Sequence, residues 1–302
     1  MTAGLTVGDF ARVTHLSVNT LRHYHQVGLL EPAAVPASGY RYYSHDQIPA
    51  AQVIRPGAGG KPGAGWPAGG SAMTELAGLT SPEAGQLARS GSLLAVPVGA
   101  TEQHGPHLPL STDTDLAVAL CAGLAGRCPG VLAAPPVAYG SSGEHQGFAG
   151  TLSIGQEALE LMLLELCRSA TQTFSRVLLV STHGGNAAPV RRAEQRLRGE
   201  SRDVRAWMPH WRGDAHAGRT ETSLQLALEP GRVRLDRAEP GDRRPIAELL
   251  PLLRESSVQA VSANGVLGDP AGASAAEGAA ILAGLLADLV RTARAWRPDE
   301  LG

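Results

Sequence analysis

The chain has 302 residues, enough to bury a substantial core in one large domain or two unequal ones. Lys plus Arg number 26 against 28 for Asp plus Glu, so no global field draws in nucleic acid or an anionic membrane, and any DNA contact has to be local. No basic start leads into an apolar signal region, and no apolar stretch approaches the roughly 20 residues that span a bilayer, which reads as a soluble, cytoplasmic protein with no membrane partner.

Over residues 6–48 the pattern allows an apolar-periodic helix, a short turn at His15 to Ser17 and a second helix from Val18 to Gln26, the order of a helix-turn-helix. The phrases TLRHYHQVGLL and GYRYYS, in that order and separation, resemble the start of the MerR family of transcription regulators. The resemblance implies a small helical, winged helix-turn-helix segment over residues 1–55, with Thr20, Arg22 and Tyr24 on or near the helix that enters the major groove and Arg41 on the wing. The pattern then departs from that family: after Arg55 neither further DNA-domain helices nor a dimerising coiled coil follows, so two half-sites cannot be held at fixed spacing. Four arginines against three acids give this segment a net charge of about +1, a poor footprint for DNA. The expectation is an appendage rather than a sequence-specific DNA-binding module.

Residues 56–72, PGAGGKPGAGWPAGGSA, supply no packed apolar face and read as a flexible linker. Met73 then opens a stretch that looks like an ordinary protein start, so the preceding residues are expected to be a fusion or the product of a misplaced start codon.

Residues 73–302 read as the main domain. Apolar runs at Leu93 to Val98, Val131 to Val137 and Arg176 to Ser181 alternate with amphipathic stretches near Leu116 to Arg127, Gln156 to Thr173 and Pro189 to Arg198, which predicts a parallel sheet covered by helices on both faces. Ser274 to Trp296 has helical spacing and closes the domain. The three cysteines, Cys121, Cys128 and Cys167, lack C-x-x-C spacing, fall in helical stretches and read as reduced core thiols.

Three segments carry chemistry, each at an element boundary. In VGATEQHGPHLPLSTDTD (98–115), which leaves the first strand, Glu102 and His104 are two residues apart and share a face when extended, an oxygen and nitrogen pair suited to Zn²⁺, Mn²⁺ or Fe²⁺. Asp113 or Asp115 returning to that point could bridge two ions, although Asp113 could equally cap a helix beginning near Leu116. In RVLLVSTHGGNAAPV (176–190), His183 leads into Gly184, Gly185 and Asn186, where a ligand could approach the backbone and a helix start offers donors to an anionic intermediate; a plain strand-to-helix turn capped by Asn186 reads as well. In GDAHAGRTETSLQLAL (213–228), His216 precedes a helix whose first turn carries Glu221.

The series T-E-Q-H-G, D-T-D, T-H-G-G-N and H-A-G-x-x-E-T-S resembles the creatininase family of binuclear metal amidohydrolases over residues 90–290. That resemblance implies a three-layer αβα fold with a mostly parallel sheet, a hexamer, two divalent ions per subunit (Zn, Fe or Mn) and a water between them that attacks an amide carbonyl. It implies Glu102, His104, Asp113, His183 and Glu221 as ligands, with Asp113 shared; the residues themselves place Gly184, Gly185 and Asn186 beside the substrate or its anionic intermediate, and His216 as the catalytic group that protonates the leaving nitrogen. Creatininase itself carries a ligating Glu where this chain has Gly185, so that ligand has to come from elsewhere, and Glu221 is the candidate. NGVLGDPAGASAAEG (264–278) and GDAHAGRTETSLQLAL are similar to the peptidase branch of the mycofactocin pathway, which implies a modified precursor peptide as partner and removal of its C-terminal Val-Tyr. The competing readings are hydrolysis of creatinine or another cyclic amide, and a MerR-type regulator whose C-terminal domain senses a ligand.

Overall fold

The structure, a computed structural model, describes residues 4–14, 18, 21–22, 25, 30–36, 40–48, 75–210 and 213–296. It divides into two compact units, Met1–Lys61 and Pro62–Gly302. The expected linker, the turn at His15 to Ser17, and Thr20 and Tyr24 lie outside the described residues, as does much of the expected second helix.

The first unit contains β1 (Leu5–Thr6), α1 (Val7–Thr14) and β2 (Tyr42–Tyr43). Thr6 starts the helix by exchanging bonds with Asp9: its hydroxyl donates to the Asp9 carboxylate at 2.6 Å and accepts the Asp9 N–H at 3.2 Å, which satisfies an otherwise free helix-start donor. β1 and β2 pair antiparallel, and Phe10 stacks on Tyr43 with ring centroids 4.5 Å apart. Those two rings, with Ala11, Leu21 and Leu30, form a small separate core.

The second unit opens with α2 (Ser81–Arg89), started by a Thr80–Glu83 capping box. It continues through β3 (Leu93–Val98), α3 (Thr112–Arg127), β4 (Val131–Ala133), α4 (Gly155–Ala170), β5 (Arg176–Ser181), α5 (Ala187–Gly199), β6 (Val204–Trp207), α6 (Arg219–Leu228), α7 (Ile246–Glu255), α8 (Val258–Val261) and α9 (Ala275–Ala295). The strands run parallel in the order β4-β3-β5-β6. Alternate residues feed opposite faces. Leu93, Ala95, Leu178 and Val180 pack with α3, α6 and α9, while Leu94, Val96, Val98, Val177 and Leu179 pack with α4 and α5. This is the expected αβα sandwich, and the three cysteines are free and buried within it. No helix among the described residues is long and apolar enough to cross a membrane.

Two element boundaries differ from expectation, and one strand was not foreseen. β4 stops at Ala133 instead of reaching Val137, because Pro135 and Pro136 carry no N–H for the ladder. β6, four residues with a charged Arg205 inside, is an edge strand too short to stand out as an apolar run. α3 begins at Thr112 rather than near Leu116, so Asp113 and Asp115 lie in its first turn, where the helix dipole favours acids.

This order fixes where ligands can gather. From β3 the chain crosses to β4 on one side, and β5 is laid down on the other. The C-terminal ends of β3 and β5 therefore flank a topological switch point, where open parallel sheets leave a crevice.

Candidate active site

The five expected ligands converge on that crevice. Glu102 and His104 follow β3 and are fully buried; Asp113 enters from the first turn of α3, His183 from the end of β5, and Glu221 from the first turn of α6. Asp113 stands between the two halves: Oδ1 lies 3.8 Å from His104 Nε2 and Oδ2 lies 3.4 Å from His183 Nδ1. Glu102 Oε2 is 3.2 Å from His183 Nε2, and Glu221 Oε2 is 3.8 Å from His104 Nε2. Two triads result, Glu102/Asp113/His183 and His104/Asp113/Glu221, each with donor atoms within 4.8 Å of one another and both using Asp113. Glu102, His104 and His216 form a third such group.

The polar atoms of this cluster fit a divalent cation. Both oxygens of Glu102, Nε2 of His104 and Oδ2 of Asp113 are buried without a hydrogen-bond partner. Leaving buried carboxylates unpaired is strongly unfavourable, and the mixed oxygen and imidazole set suits Zn²⁺, Mn²⁺ or Fe²⁺. Other contacts already aim these candidate ligands. His104 Nδ1–H donates to the Glu102 carbonyl at 3.2 Å, which leaves Nε2 facing Asp113 and Glu221. Glu221 Oε2 also accepts the Ala217 N–H at 2.6 Å, and Ala217 is held at φ 52, an uncommon conformation for a residue with a side chain.

Proton equilibria express the same need for positive charge. Burial opposes charging His104, but Asp113, Glu221 and Glu102 outweigh it and hold the imidazole up at about 10. His183 is likewise held at about 8 by Glu102 and Asp113 against its burial. Burial raises Glu102 to about 7, whereas Asp113, although buried, is kept low by His104. Without metal, the two imidazolium ions therefore offset the charge of Asp113 and the carboxylates beside it.

His216 sits 7% exposed beside this cluster. Its Nε2–H donates to the Gln103 carbonyl at 2.8 Å, and its Nδ1 faces Glu102 Oε1 at 3.8 Å. Burial, then the charged His104 and the nearby His145, push it well below the ordinary range, so the ring is neutral with a free lone pair toward the site. The backbone around it pairs with the C-terminal motif: the His216 N–H donates to Leu267 O at 3.2 Å and Leu267 returns a bond of 2.9 Å.

Gln103, His145 and Glu144 complete the arrangement, and none was singled out from sequence. The Gln103 Oε1 accepts the Gly105 N–H at 2.8 Å, which orients its Nε2 toward the Gly265 carbonyl at 3.1 Å and His145 Nδ1 at 2.8 Å. Gly265 is required there, since a β-carbon would lie 2.0 Å from Gln103 Oε1 and its φ is +79°. With Nδ1 accepting, His145 carries its proton on Nε2, 3.4 Å from Glu102 Oε1. Burial, then His183 and His104, lower it to about 3 and keep it neutral. Glu144 approaches His183 Nε2 to 3.7 Å and occupies the space beside Gly185, where a β-carbon would lie 2.5 Å from the Glu144 carboxylate and 2.2 Å from the Ser141 carbonyl. Glu144 therefore fills the space beside position 185 but belongs to neither triad, while Glu221, the expected source of the missing ligand, lies beside His104.

The expected substrate-facing trio is split by the structure. Gly184 is exposed, but Gly185 is hemmed in by that loop, and Asn186 is fully buried. Its Oδ1 accepts the Ser141 N–H at 2.8 Å and its Nδ2 donates to the Gly99 carbonyl at 2.9 Å, so the amide ties two loops together instead of offering a donor to substrate. In the N-terminal unit, Arg41, the residue expected on the wing, donates from Nε to His25 Nδ1 at 3.1 Å.

Residues 77–293 match the family model described as creatininase, creatinine amidohydrolase, and residues 6–43 match that of the MerR family regulatory protein. The mycofactocin precursor peptide peptidase of Mycobacterium ulcerans is 48% identical over 237 residues, covering 75% of this chain and 94% of its own length. For the N-terminal unit, the HTH-type transcriptional regulator SkgA of Caulobacter vibrioides is 47% identical over 49 residues, covering 16% of this chain and 19% of that protein. A crystal structure of creatinine amidohydrolase superposes with a TM-score of 0.64 at 26% identity, covering 76% of this chain and 99% of that one. Similar creatininase structures are described as a Zn-Zn type and as an Mn form. A buried cluster that demands cations, within a fold solved in zinc and manganese forms and matched along nearly its whole length, leaves one conclusion: the chain belongs to the creatininase family and is a metal-dependent hydrolase of amide bonds.

Proposed function

We propose that this enzyme is a binuclear peptidase that removes the C-terminal Val-Tyr dipeptide from the modified mycofactocin precursor peptide. The observation that carries the reading is the pair of triads sharing Asp113, joined to 48% identity with a peptidase named for that precursor. Residues 73–302 are the working enzyme in this reading, assembled as a hexamer in the cytoplasm, and residues 1–55 are an appendage joined by the linker at 56–72.

Glu102 and His183 would hold one ion, His104 and Glu221 the other, with Asp113 between them. Two divalent ions, zinc, iron or manganese, would supply Lewis acidity and a water nucleophile available near neutral pH. His216 handles the proton. Its Nε2–H is committed to the Gln103 carbonyl, so Nδ1 takes up a proton on the site side and delivers it to the leaving nitrogen when the amide bond breaks. Gln103 fixes the tautomers of both His216 and His145, so neither ring needs to reorient during turnover.

The test is mass spectrometry of metal-loaded protein incubated with a cross-linked precursor ending in Val-Tyr, with creatinine and chelator controls in parallel. Chelator-sensitive release of the dipeptide is the expected result. Hydrolysis of creatinine alone would move the enzyme to the cyclic-amide branch, and no turnover of either would remove the peptidase reading.

A further inference from the structure

A cavity of about 330 Å³ opens between the start of α5 and the end of β6. Its lining includes His183, Gly184, Arg191, Glu194, Met208 and His210, so its wall is shared with the catalytic cluster through His183. We propose that it receives the C-terminal end of the peptide substrate, with Arg191 as the anchor for the free α-carboxylate. The inference rests on the peptidase reading and adds to it a means of choosing the bond to cut.

Charge supports this occupant. Arg191 is exposed and makes no hydrogen bond or ion pair among the described residues, whereas its neighbour Arg192 is tied to Glu160 at 2.5 Å. Glu194 is the acid of the lining, and its Oε1 accepts the Ala206 N–H at 3.2 Å, so it is drawn toward the strand end rather than paired with Arg191. An unspent guanidinium in a concave wall presents a planar fork of donors that matches a carboxylate, and His210 lies in the same lining.

Shape supports it too. A β-carbon at Gly184 would meet nothing within 4 Å, and its φ is not in the left-handed region, so the backbone does not require glycine there. What glycine leaves is room between His183 and the cavity. The volume lies at the small end of the roughly 300–1,000 Å³ typical of small-ligand pockets, which suits a short chain end. A carboxylate fixed at Arg191 sets a constant distance to the reacting centre, and an enzyme built this way counts residues from the C-terminus.

The experiment compares two cross-linked peptides that differ only in ending as the acid or as the amide. They are tested with metal-loaded wild type, Arg191→Ala, Arg191→Lys, Gly184→Leu and the control Arg192→Ala, each checked for metal content. Wild type should prefer the acid by roughly 10- to 100-fold in kcat/KM, the range expected for a hydrogen-bonded charge pair. Arg191→Ala should erase that preference, Arg191→Lys restore part of it, Gly184→Leu raise KM for the acid at full metal content, and Arg192→Ala keep the preference. A preference that survives Arg191→Ala, or none in wild type, overturns the inference while leaving the peptidase reading intact. If wild type cleaves neither peptide, the peptidase reading fails, and calorimetry with Val-Tyr and its amide decides the anchor. Binding of the acid that weakens at least about tenfold on amidation and on Arg191→Ala sustains it; equal binding of both, or none, overturns it.

Discussion

The two units match their relatives at nearly the same identity, 48% for the larger and 47% for the smaller, yet the matches differ in weight. The first spans 94% of its relative and the second 19%, so only the larger unit inherits a whole machine. Physical chemistry draws the same distinction. In the larger unit four atoms of Glu102, His104 and Asp113 are buried together without a hydrogen-bond partner, an arrangement that a bound cation would satisfy. In the smaller unit the one described buried side-chain polar atom without a partner is the lone Tyr43 hydroxyl, and the Thr6–Asp9 exchange and the Arg41–His25 bond satisfy others. Identity reports common descent, whereas a cluster of unsatisfied carboxylate and imidazole atoms points to a cation.

The largest test of that contrast removes the residue both triads share. Asp113→Asn should lose bound metal at both positions and, since metal ions contribute several kcal/mol to such reactions, lower kcat/KM by roughly a thousandfold or more. Metal content by elemental analysis, read beside the rate, checks it; stoichiometric metal in the variant would refute the ligand set. His183→Ala and Glu102→Gln should fall in the same class, each with lost metal as well as lost rate.

His216→Ala comes next. Its imidazole is placed as proton carrier but also groups with Glu102 and His104 at ligand distance, and the two roles part cleanly in a variant. A proton carrier predicts a fall in kcat of roughly a hundred- to ten-thousandfold with full metal content. Lost metal would make His216 a ligand, and an unchanged rate would remove it from the chemistry.

How much of this was legible in the sequence follows from whether the signal was local. β3 and β5 were readable to the residue because strands buried on both faces are continuous apolar runs. The candidate ligands were readable as a group because each lies at an element boundary in a recognisable phrase, and the structure brings their polar atoms together. His145 was not, since its part depends on an amide 42 positions away. Gln103 was obscured by alternation, which turns it away from Glu102 and His104 if the segment is simply extended, while the folded loop brings its amide to His145 and Gly265. Asn186 shows the converse: its phrase placed it beside the substrate, but its amide already donates to Gly99 and accepts from Ser141 in two distant loops.

Thermal unfolding extends the contrast to stability. Binding at a hundredfold excess over Kd adds about 2.7 kcal/mol, and for a unit of this size each kcal/mol moves Tm by roughly 2–4 °C. A chelator should therefore lower the transition of the larger unit by about 5–10 °C, as read by calorimetry. Any transition belonging to the smaller unit should stay where it is, because its core of Phe10, Ala11, Leu21, Leu30 and Tyr43 includes none of the candidate ligands. Equal shifts in both would show that the ions act outside the cluster.

The smallest effect expected is that of removing residues 1–72. The mycobacterial peptidase aligns over 94% of its length with 75% of this chain, so a complete relative has little counterpart to the N-terminal segment. If the units act independently, kcat/KM of the truncated enzyme should stay within about twofold of the full chain, the scale of error for additive, separate sites. A larger loss would give the appendage a part in catalysis. The complementary measurement is DNA binding by the full chain as salt is varied. A net charge near +1 over residues 1–55 offers few phosphate contacts, so affinity should be weak and its logarithm should fall with the logarithm of salt at a slope shallower than about −3. A steep slope with sequence discrimination would give the smaller unit a function of its own, and would join regulation to hydrolysis in one chain.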